Sequence, residues 1–251
     1  MSGIELKTAA ELEIMRRAGL VVAKLLKFLG QEVKPGVTTE KLDTLAEAFI
    51  RGEGSEPAFK GYCGFPASIC ASVNEEVVHG IPGPRVLKAG DIVGIDVGVR
   101  LNGYYSDAAR TFGVGRVDQE SQKLIELTRE AMSQGISHAV EGNRLGDISW
   151  AVQSYAEANG LSVVKQYVGH GIGRNLHEEP QVPNFGAPGQ GPAIRAGMAL
   201  AIEPMVNAGT HETRLLEDGW TVVTRDGRPS AHFENTILVT GSGCEVVTAD
   251  G

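Results

Sequence analysis

The stretch Ile92-Val93-Gly94-Ile95-Asp96-Val97-Gly98-Val99-Arg100-Leu101-Asn102-Gly103-Tyr104-Tyr105-Ser106-Asp107 predicts a long β-hairpin. Branched apolar residues occupy alternate positions from 93 to 99, as expected of a strand with one buried face. The Asn-Gly pair at 102 and 103 is the strongest short signal for a two-residue hairpin turn. Such a turn places Asp96 opposite Ala109 and Gly98 opposite Asp107.

This hairpin places two carboxylates on one face of a sheet. In the predicted register Asp96 and Asp107 are diagonal neighbours, about 7–8 Å apart. Like charges at that distance disfavour each other unless a cation lies between them. The rest of the face is small (Gly94, Gly98 and Ala109), which leaves room for metal ions and a substrate. Two aspartates alone are equally typical of a solvated face, so a site requires further ligands.

The second half of the chain supplies three more candidate ligands. His170 lies in the glycine-rich segment Val168-Gly169-His170-Gly171-Ile172-Gly173, where backbone can come close to an ion. Glu203 ends an apolar run, and Glu234 lies inside a run with strong strand character. A buried carboxylate is costly unless it is paired. Four carboxylates with one imidazole suit Mn, Co, Fe or Zn better than Ca, and bridging carboxylates favour two ions about 3.5–4 Å apart.

Four helices are predicted outside the hairpin. The first begins at a Thr8-x-x-Glu11 capping box and carries an apolar series at roughly helical spacing: Leu12, Met15, Leu20, Ala23 and Leu26. The second follows Val37-Thr38-Thr39 and is stopped by the glycines at 52 and 54. The third runs from near Asp118 to about Ala139, and the fourth from about Leu145 to Ala158. Beyond residue 160 the sequence predicts strands and loops.

The order of two helices followed by strands occurs twice. Overlaying Gly36 on Gly142, a separation of 106 residues, aligns the apolar positions of the second and fourth helices and matches Gly54 with Gly160. This weak similarity fits duplicated α/β halves over a shared sheet, and it equally fits the general likeness of amphipathic helices. Because no Pro- or Ser-rich linker separates the halves, we expect one domain.

Composition excludes several classes of protein. The chain of 251 residues has 31 Asp and Glu against 23 Lys and Arg, and a net charge of -8 argues against a general nucleic-acid binder. Its three cysteines form neither a disulfide framework nor a zinc-type spacing, which indicates a reducing compartment. No signal peptide and no apolar run of about 20 residues are present, so we expect a cytoplasmic protein that binds no membrane.

Several phrases together resemble the type I methionine aminopeptidases. They are Gly-Phe-Pro before Ser68, Val73-Asn74-Glu75 leading to His79-Gly80-Ile81-Pro82, Gly169-His170-Gly171-Ile172-Gly173, His177-Glu178-Glu179-Pro180-Gln181-Val182, Ile202-Glu203-Pro204-Met205-Val206-Asn207 and Glu217-Asp218-Gly219-Trp220-Thr221. The resemblance covers roughly residues 5–249. It implies an α/β (α+β) pita-bread fold, in which helices cover a curved, mainly antiparallel sheet. The pseudo-symmetric halves are roughly 10–115 and 116–249 of a single catalytic domain, 1–251.

The resemblance also implies roles for individual residues. Asp96 is similar to the bidentate ligand of one metal, Asp107 and Glu234 to the bridging ligands, and His170 and Glu203 to the ligands that complete the other metal. The implied cofactors are two divalent ions per chain, of Co, Mn, Fe, Zn or Ni. Glu203 is also the implied proton acceptor. His79 is implied near the substrate amine and leaving nitrogen, and His177 at the cleaved carbonyl.

A methionine pocket is implied as well, formed by Tyr62, Cys63, Phe65, Cys70, Leu176 and Trp220, together with the two histidines. Aromatic and sulfur surfaces suit an unbranched thioether side chain, although the same residues also fit simple core packing. Some positions depart from the family pattern. They are Ala67, Val78 and Asn235, where Lys, Cys and His are usual, and Leu176, where an aromatic is usual. Leu176 and Phe59 bear on the shape of the pocket.

The implied function is removal of the N-terminal methionine from nascent proteins whose second residue is small. In it, water activated by a metal pair attacks the methionine carbonyl. The implied partners are nascent polypeptides, with docking on the ribosome left open, and the chain is expected to be a monomer. One rival is a proline-directed peptidase of the same superfamily, which usually carries a long N-terminal domain, whereas only 95 residues precede Asp96 here. The other is a non-catalytic binding protein on the same fold, and such proteins typically lack metal ligands.

Overall fold

A computed structural model describes residues 3–249. The described residues form four α-helices: α1 (Ala9–Glu32), α2 (Thr39–Gly52), α3 (Gln119–Ser137) and α4 (Leu145–Ala158). They also form fifteen strands: β1 (Glu56–Pro57), β2 (Ile69–Val73), β3 (Glu76–Val78), β4 (Ile92–Leu101), β5 (Tyr104–Gly113), β6 (Ser162–Val163), β7 (Gly169–Gly171), β8 (Glu178–Val182), β9 (Ala199–Ile202), β10 (Met205–Asn207), β11 (Thr213–Leu215), β12 (Val222–Thr224), β13 (Ser230–His232), β14 (Asn235–Thr240) and β15 (Gly243–Val246).

The predicted hairpin is strands β4 and β5. Asp96 lies opposite Ala109 and Gly98 opposite Asp107, which confirms the predicted register. Asn102 and Gly103 form the turn with φ of 49° and 83°, the left-handed geometry that a two-residue hairpin requires. The branched residues at alternate positions of β4 are fully buried: Val93, Ile95, Val97 and Val99.

All strand pairings are antiparallel among the described residues, as expected for this fold. In one sheet β4 pairs with β1, β2 and β5. In a second sheet the order is β15-β14-β9-β7-β8. The two sheets meet where Thr236 of β14 exchanges hydrogen bonds with Asp107 of β5, so the hairpin carboxylates face residues of the second half.

The helices lie where the sequence predicts them. Thr8 and Glu11 cap α1 reciprocally, and α1 and α2 bury their apolar faces in one core with β2 and β4. α3 begins after its N-cap, Asp118, and α4 has the predicted bounds. One detail was wrong: Leu20 of α1 is 54% exposed and lies outside the buried face.

The helices show the predicted repeat. α2 and α4 each contain 14 residues, and both of their bounds differ by 106 positions. Gly36 and Gly142 before them have φ of 94° and 97°, while Gly54 and Gly160 after them have φ of 71° and 77°. Left-handed backbone favours glycine at each of these turns. The turns match as well as the helices, which supports duplicated halves over a general likeness of amphipathic helices.

None of the helices in residues 3–249 combines the length with the apolar character that crossing a membrane requires.

Candidate active site

Five separate parts of the fold bring the five predicted ligands together. Asp96 lies on β4 and Asp107 on β5, while Glu203 directly follows β9, as predicted. Two local predictions were wrong. His170 lies in the short strand β7 and not in a loop, and Glu234 lies in the break between β13 and β14 and not inside a strand. The Glu234 amide donates to the Ala109 carbonyl at 2.9 Å, which fixes that break beside β5.

His170 lies close to two carboxylates of the cluster, Asp107 and Glu203. Its Nε2 lies 3.6 Å from Oδ2 of Asp107 and 3.5 Å from Oε1 of Glu203. Its Nδ1 lies 2.9 Å from the Gly171 carbonyl, which can only accept a hydrogen bond, so Nδ1 carries the proton. Nε2 is therefore left free to bind a cation. Asp107, His170 and Glu234 each offer one ligand atom, and these atoms lie within 4.8 Å of one another.

Burial makes it costly to hold negative charge on the carboxylates of this cluster. Asp107 and Glu234 are 3% and 2% exposed, and Oδ1 of Asp96 has no hydrogen-bond partner. Burial raises the pKa of Asp96 and of Glu203 to about 8 and that of Asp107 to about 7. It raises the pKa of Glu234 as well, and the neighbouring carboxylates add to that rise. Divalent cations would offset this accumulation of negative charge, so the residues fit a metal site.

The glycines around the cluster have a different role from the one predicted. A Cβ on Gly169 would lie 2.3 Å from the Ala201 carbonyl oxygen, and one on Gly171 would lie 2.3 Å from the Glu179 carbonyl oxygen. These glycines let β9 and β8 approach β7 closely. A Cβ on Gly98 would lie 2.6 Å from the Phe59 ring, so that gap is filled by protein. A Cβ on Gly94, by contrast, would make only ordinary van der Waals contacts.

The predicted pocket residues line one cavity of about 210 Å3 that opens onto the cluster. Its walls are Phe59, Tyr62, Cys63, Phe65, Cys70, His79, Asp96, Asp107, His170, Leu176, His177, Glu203, Trp220 and Glu234. Leu176 and Phe65 are buried, and the Phe65 ring lies 5.0 Å from the Trp220 ring, edge to face. Tyr62 and Cys63 are exposed at the rim. The wall of the cavity therefore combines apolar side chains with the carboxylates of the cluster.

The two predicted catalytic histidines line the cavity together with the cluster. The His177 ring lies 4.3 Å from the His170 ring, and its Nδ1 is 2.7 Å from the Tyr62 hydroxyl. The His79 ring makes edge contacts with Tyr167 and Trp220. Desolvation, followed by nearby imidazoles, lowers the pKa of each histidine to about 4. Both rings are therefore neutral at pH 7, and each offers one donor and one acceptor.

His232 is a site residue that sequence reasoning missed. It is 4% exposed, its Nε2 lies 3.6 Å from Oε2 of Glu203, and that nitrogen has no hydrogen-bond partner. Burial lowers the pKa of its imidazole. The spacing of His232 two residues before Glu234 would have revealed it, since alternate residues of extended chain share a face. His138 and His211 lie outside the cluster, as expected: His138 caps α3, and His211 is exposed.

A second cavity of about 240 Å3 borders the cluster. It shares His79, Asp96, His177 and Glu203 with the first cavity. Its remaining walls are Val78, Gln166, Tyr167, Val168, Met205 and His232. Asp96, Glu203 and the two histidines therefore border both spaces, an arrangement suited to a substrate with one residue on each side of the bond that is cut.

The fold and the site together point to one class of protein, and comparison with known proteins identifies that class. Residues 13–241 match the model of metallopeptidase family M24, and the chain belongs to that family. Members of a metallopeptidase family use a metal in catalysis, and the chain is a metallo-exopeptidase with a pita-bread fold. Within the family it belongs with the methionine aminopeptidases. It is 56% identical to methionine aminopeptidase of Clostridium perfringens over 245 residues, which cover 98% of each chain.

Solved structures agree with this assignment. The crystal structure of methionine aminopeptidase from Rickettsia prowazekii superposes with a TM-score of 0.97 at 47% identity, covering 98% of this chain and all of that one. Prolidase from Pyrococcus furiosus superposes with a TM-score of 0.78 at 22% identity, over 97% of this chain and 65% of that one. The prolidase likeness shows the shared fold alone.

Proposed function

We propose that the chain removes the N-terminal methionine from nascent polypeptides whose second residue is small. The observation that carries this proposal is the apolar cavity that ends on a buried cluster of four carboxylates and one imidazole. An exopeptidase needs such a blind pocket for one terminal side chain beside the group that cuts the next bond. The whole chain acts as one catalytic domain, as a monomer in the cytoplasm.

The proposed metal ligands are Asp96, Asp107, His170, Glu203 and Glu234. When bound there, two divalent ions, of Co, Mn, Fe, Zn or Ni, supply a water molecule of lowered pKa and positive charge for the carbonyl oxygen. Asp107 and Glu234 are almost fully buried, so a cation bound there would offset charge that water does not reach. The unpartnered Oδ1 of Asp96 supports a further ligand atom at the edge of the cluster.

The cavity selects the methionine side chain. Phe65, Cys70, Leu176 and Trp220 line it with aromatic, sulfur and aliphatic surface. A thioether is polarisable and flexible, and it makes favourable contacts with ring edges such as those of the Phe65–Trp220 pair. The second side chain of the substrate lies in the other cavity, between Tyr167, Met205 and His232.

The chain's own groups handle the protons of the reaction. The Glu203 carboxylate accepts a proton from the attacking water and passes it towards the leaving nitrogen. If the Tyr62 hydroxyl donates a hydrogen bond to Nδ1 of His177, the ring hydrogen lies on Nε2. The Nε2–H group then donates a hydrogen bond to the developing oxyanion. His79 lines both cavities, and its neutral imidazole contacts the leaving nitrogen.

A peptide panel tests the proposal. The purified enzyme, loaded with Co or Mn, should release methionine from Met-Ala-Ser and Met-Gly-Ser. It should act at least tenfold more slowly on Met-Leu-Ser and leave Ala-Pro-Ser uncut. Cleavage of the Xaa-Pro peptide in preference to Met-Ala-Ser would favour the proline-directed rival. Absence of any bound or activating divalent ion would favour a non-catalytic binding protein.

A further inference from the structure

Lys7 is the one buried lysine within residues 3–249. In sequence it lies far from the residues that line the cavity. Its side chain is 4% exposed, and its Nζ lies 2.5 Å from Oε2 of Glu178, whose side chain is 9% exposed. The same Nζ lies 3.4 Å from the Glu5 carbonyl oxygen. Separating a pair this deeply buried leaves each charge poorly solvated, so the ion pair holds Lys7 and Glu178 together.

Glu178 joins this attachment to the segment that carries His177. Residues 173–177, here called the His177 loop, form neither helix nor strand, so no backbone ladder holds them. Oε1 of Glu178 accepts a hydrogen bond from the Asn175 amide at 3.0 Å. One carboxylate therefore contacts Lys7 with one oxygen and closes the loop with the other. Leu176 and His177 project from this loop into the cavity.

Gly173 shows how closely Lys7 crosses the loop. A Cβ on Gly173 would lie 2.4 Å from Cε and 2.7 Å from Nζ of Lys7. The residue at this position must therefore be small for the lysine to reach Glu178. The Gly173 carbonyl accepts a hydrogen bond from the Tyr105 amide at 2.8 Å, which fixes the beginning of the loop to the hairpin.

The start of α1 is a rigid platform for this contact. The Lys7 amide donates to the Gly197 carbonyl at 2.7 Å, and Thr8 and Glu11 form the capping box directly after it. Oε1 of Glu11 also accepts a hydrogen bond from Arg174 of the His177 loop at 3.1 Å. Two charged residues at the start of one helix therefore reach the same loop.

We propose that Lys7 is a positioning residue for His177, which it fixes at the cleaved bond through the buried Lys7–Glu178 ion pair. This inference rests on the proposed function, because the role of His177 does. A misplacement of about 1 Å in a group that stabilises the transition state can cost about a hundredfold in rate. Loss of the pair should therefore lower kcat more than it raises KM.

The test compares Lys7→Met with a matched control, Lys24→Met. Lys24 lies on α1 and pairs with Glu53 at 3.3 Å on the exposed surface, far from the loop contacts. With Met-Ala-Ser as substrate, we expect Lys7→Met to lower kcat at least tenfold with unchanged metal content, and Lys24→Met to change kcat less than twofold. If Lys7→Met does not fold, Lys7→Met/Glu178→Gln replaces it, since no buried charge is then left unpaired. An unchanged kcat in the folded variant would overturn the proposal.

A double-mutant cycle separates positioning from general damage. In a His177→Ala background, Lys7→Met should change kcat less than threefold, because its target is already absent. If it costs the same factor in both backgrounds, the proposal is wrong. Hydrogen exchange of the amides of residues 172–178 should be faster in Lys7→Met and unchanged in Lys24→Met. If the wild-type enzyme releases no methionine, the proposed function fails, and the exchange data still decide whether Lys7 orders the loop.

Discussion

Cys70 on β2 lies directly opposite Asp96 on β4, so one rung of an antiparallel ladder joins the apolar cavity to the carboxylate cluster. Cys70 faces the cavity, and burial raises the pKa of its thiol, which keeps it uncharged beside the carboxylates. The distance between the pocket and the cutting group is therefore set by the spacing of neighbouring strands.

Substitution of Cys70 should affect substrate binding more than metal binding. Cys70→Leu adds bulk to the cavity wall, so we expect KM for Met-Ala-Ser to rise at least tenfold with unchanged metal content. Cys70→Ala leaves the cavity open, and its KM should stay within about threefold of the wild type. Steady-state kinetics with metal analysis by mass spectrometry measures both. Loss of metal in Cys70→Leu at full substrate affinity would contradict the assignment of this wall.

The metal-free protein should lose stability as the pH rises. Burial raises the pKa of Asp96, Asp107 and Glu203 to about 8, 7 and 8 in the folded protein, against their ordinary values of 3.8, 3.8 and 4.5 in the unfolded chain. Between about pH 6.5 and 8 the folded state therefore holds carboxyl protons that the unfolded state has released, and the free energy of unfolding falls. Below pH 6.5 the buried histidines oppose this trend, because the unfolded state binds protons that their lowered pKa values keep off the folded state. We expect the unfolding midpoint to drop by about 5 °C or more between about pH 6.5 and 8.

Calorimetry after chelation checks that prediction. The control variant Glu203→Gln should show a shallower fall, because one of the raised groups is gone. Added Co or Mn should raise the midpoint more at pH 8 than at pH 5, since the ions then meet charged carboxylates without displacing protons. A midpoint of the chelated protein that rises from pH 6.5 to pH 8 would exclude this account of the cluster.

The capping residue Glu11 should have the opposite pH dependence. The Tyr104 hydroxyl, the Thr8 amide and hydroxyl, and Arg174 all contact its carboxylate and lower its pKa from 4.5 to about 2. Its contribution to stability is therefore present above about pH 4.5 and is lost as the pH falls towards 2. Glu11→Gln should unfold at lower urea than the wild type at pH 7, and the difference should shrink towards pH 2. Glu13→Gln, on the exposed side of α1, is the matched control, and an equal loss in both variants would contradict the prediction.

Tyr62 should orient His177. Its hydroxyl lies 2.7 Å from Nδ1 of His177, and its ring packs 5.2 Å from the imidazole. Tyr62→Phe keeps the packing and removes the hydrogen bond, so kcat should fall about tenfold with a KM within twofold of the wild type. Tyr105→Phe, on the hairpin beside this region, should leave kcat unchanged. A rise in KM alone in Tyr62→Phe would mean that the hydroxyl only contacts the substrate.

The sequence predicts local features of this fold well and distant contacts poorly. The hairpin register follows from Asn102-Gly103 and the alternation of valines, because side-chain direction and turn geometry are both local. The strand at His170 was missed because Gly169 and Gly171 have no strand propensity. They are needed where the carbonyls of β9 and β8 come close, contacts that only the folded sheet creates.

The site residues also divide into those that local sequence motifs reveal and those that only distant contacts reveal. Five acidic and imidazole ligands stand out because such residues are rare in apolar runs, and their motifs carry the family resemblance. The only local sign of His232 is its position two residues before Glu234, and its contact with Glu203 depends on the pairing of β10 with β13. Lys7 reads as an ordinary surface residue, because its partner, Glu178, lies 171 positions away.

The most direct test of the central claim is the release of free methionine from Met-Ala-Ser by the purified chain, followed while divalent metal is titrated into the chelated protein. We expect no release without metal, and activity that rises with added Co or Mn and saturates by two ions per chain. Asp107→Asn should abolish both the tight binding and the release. Methionine release that is unaffected by chelation, or no release at any metal content in a folded protein, would contradict the account.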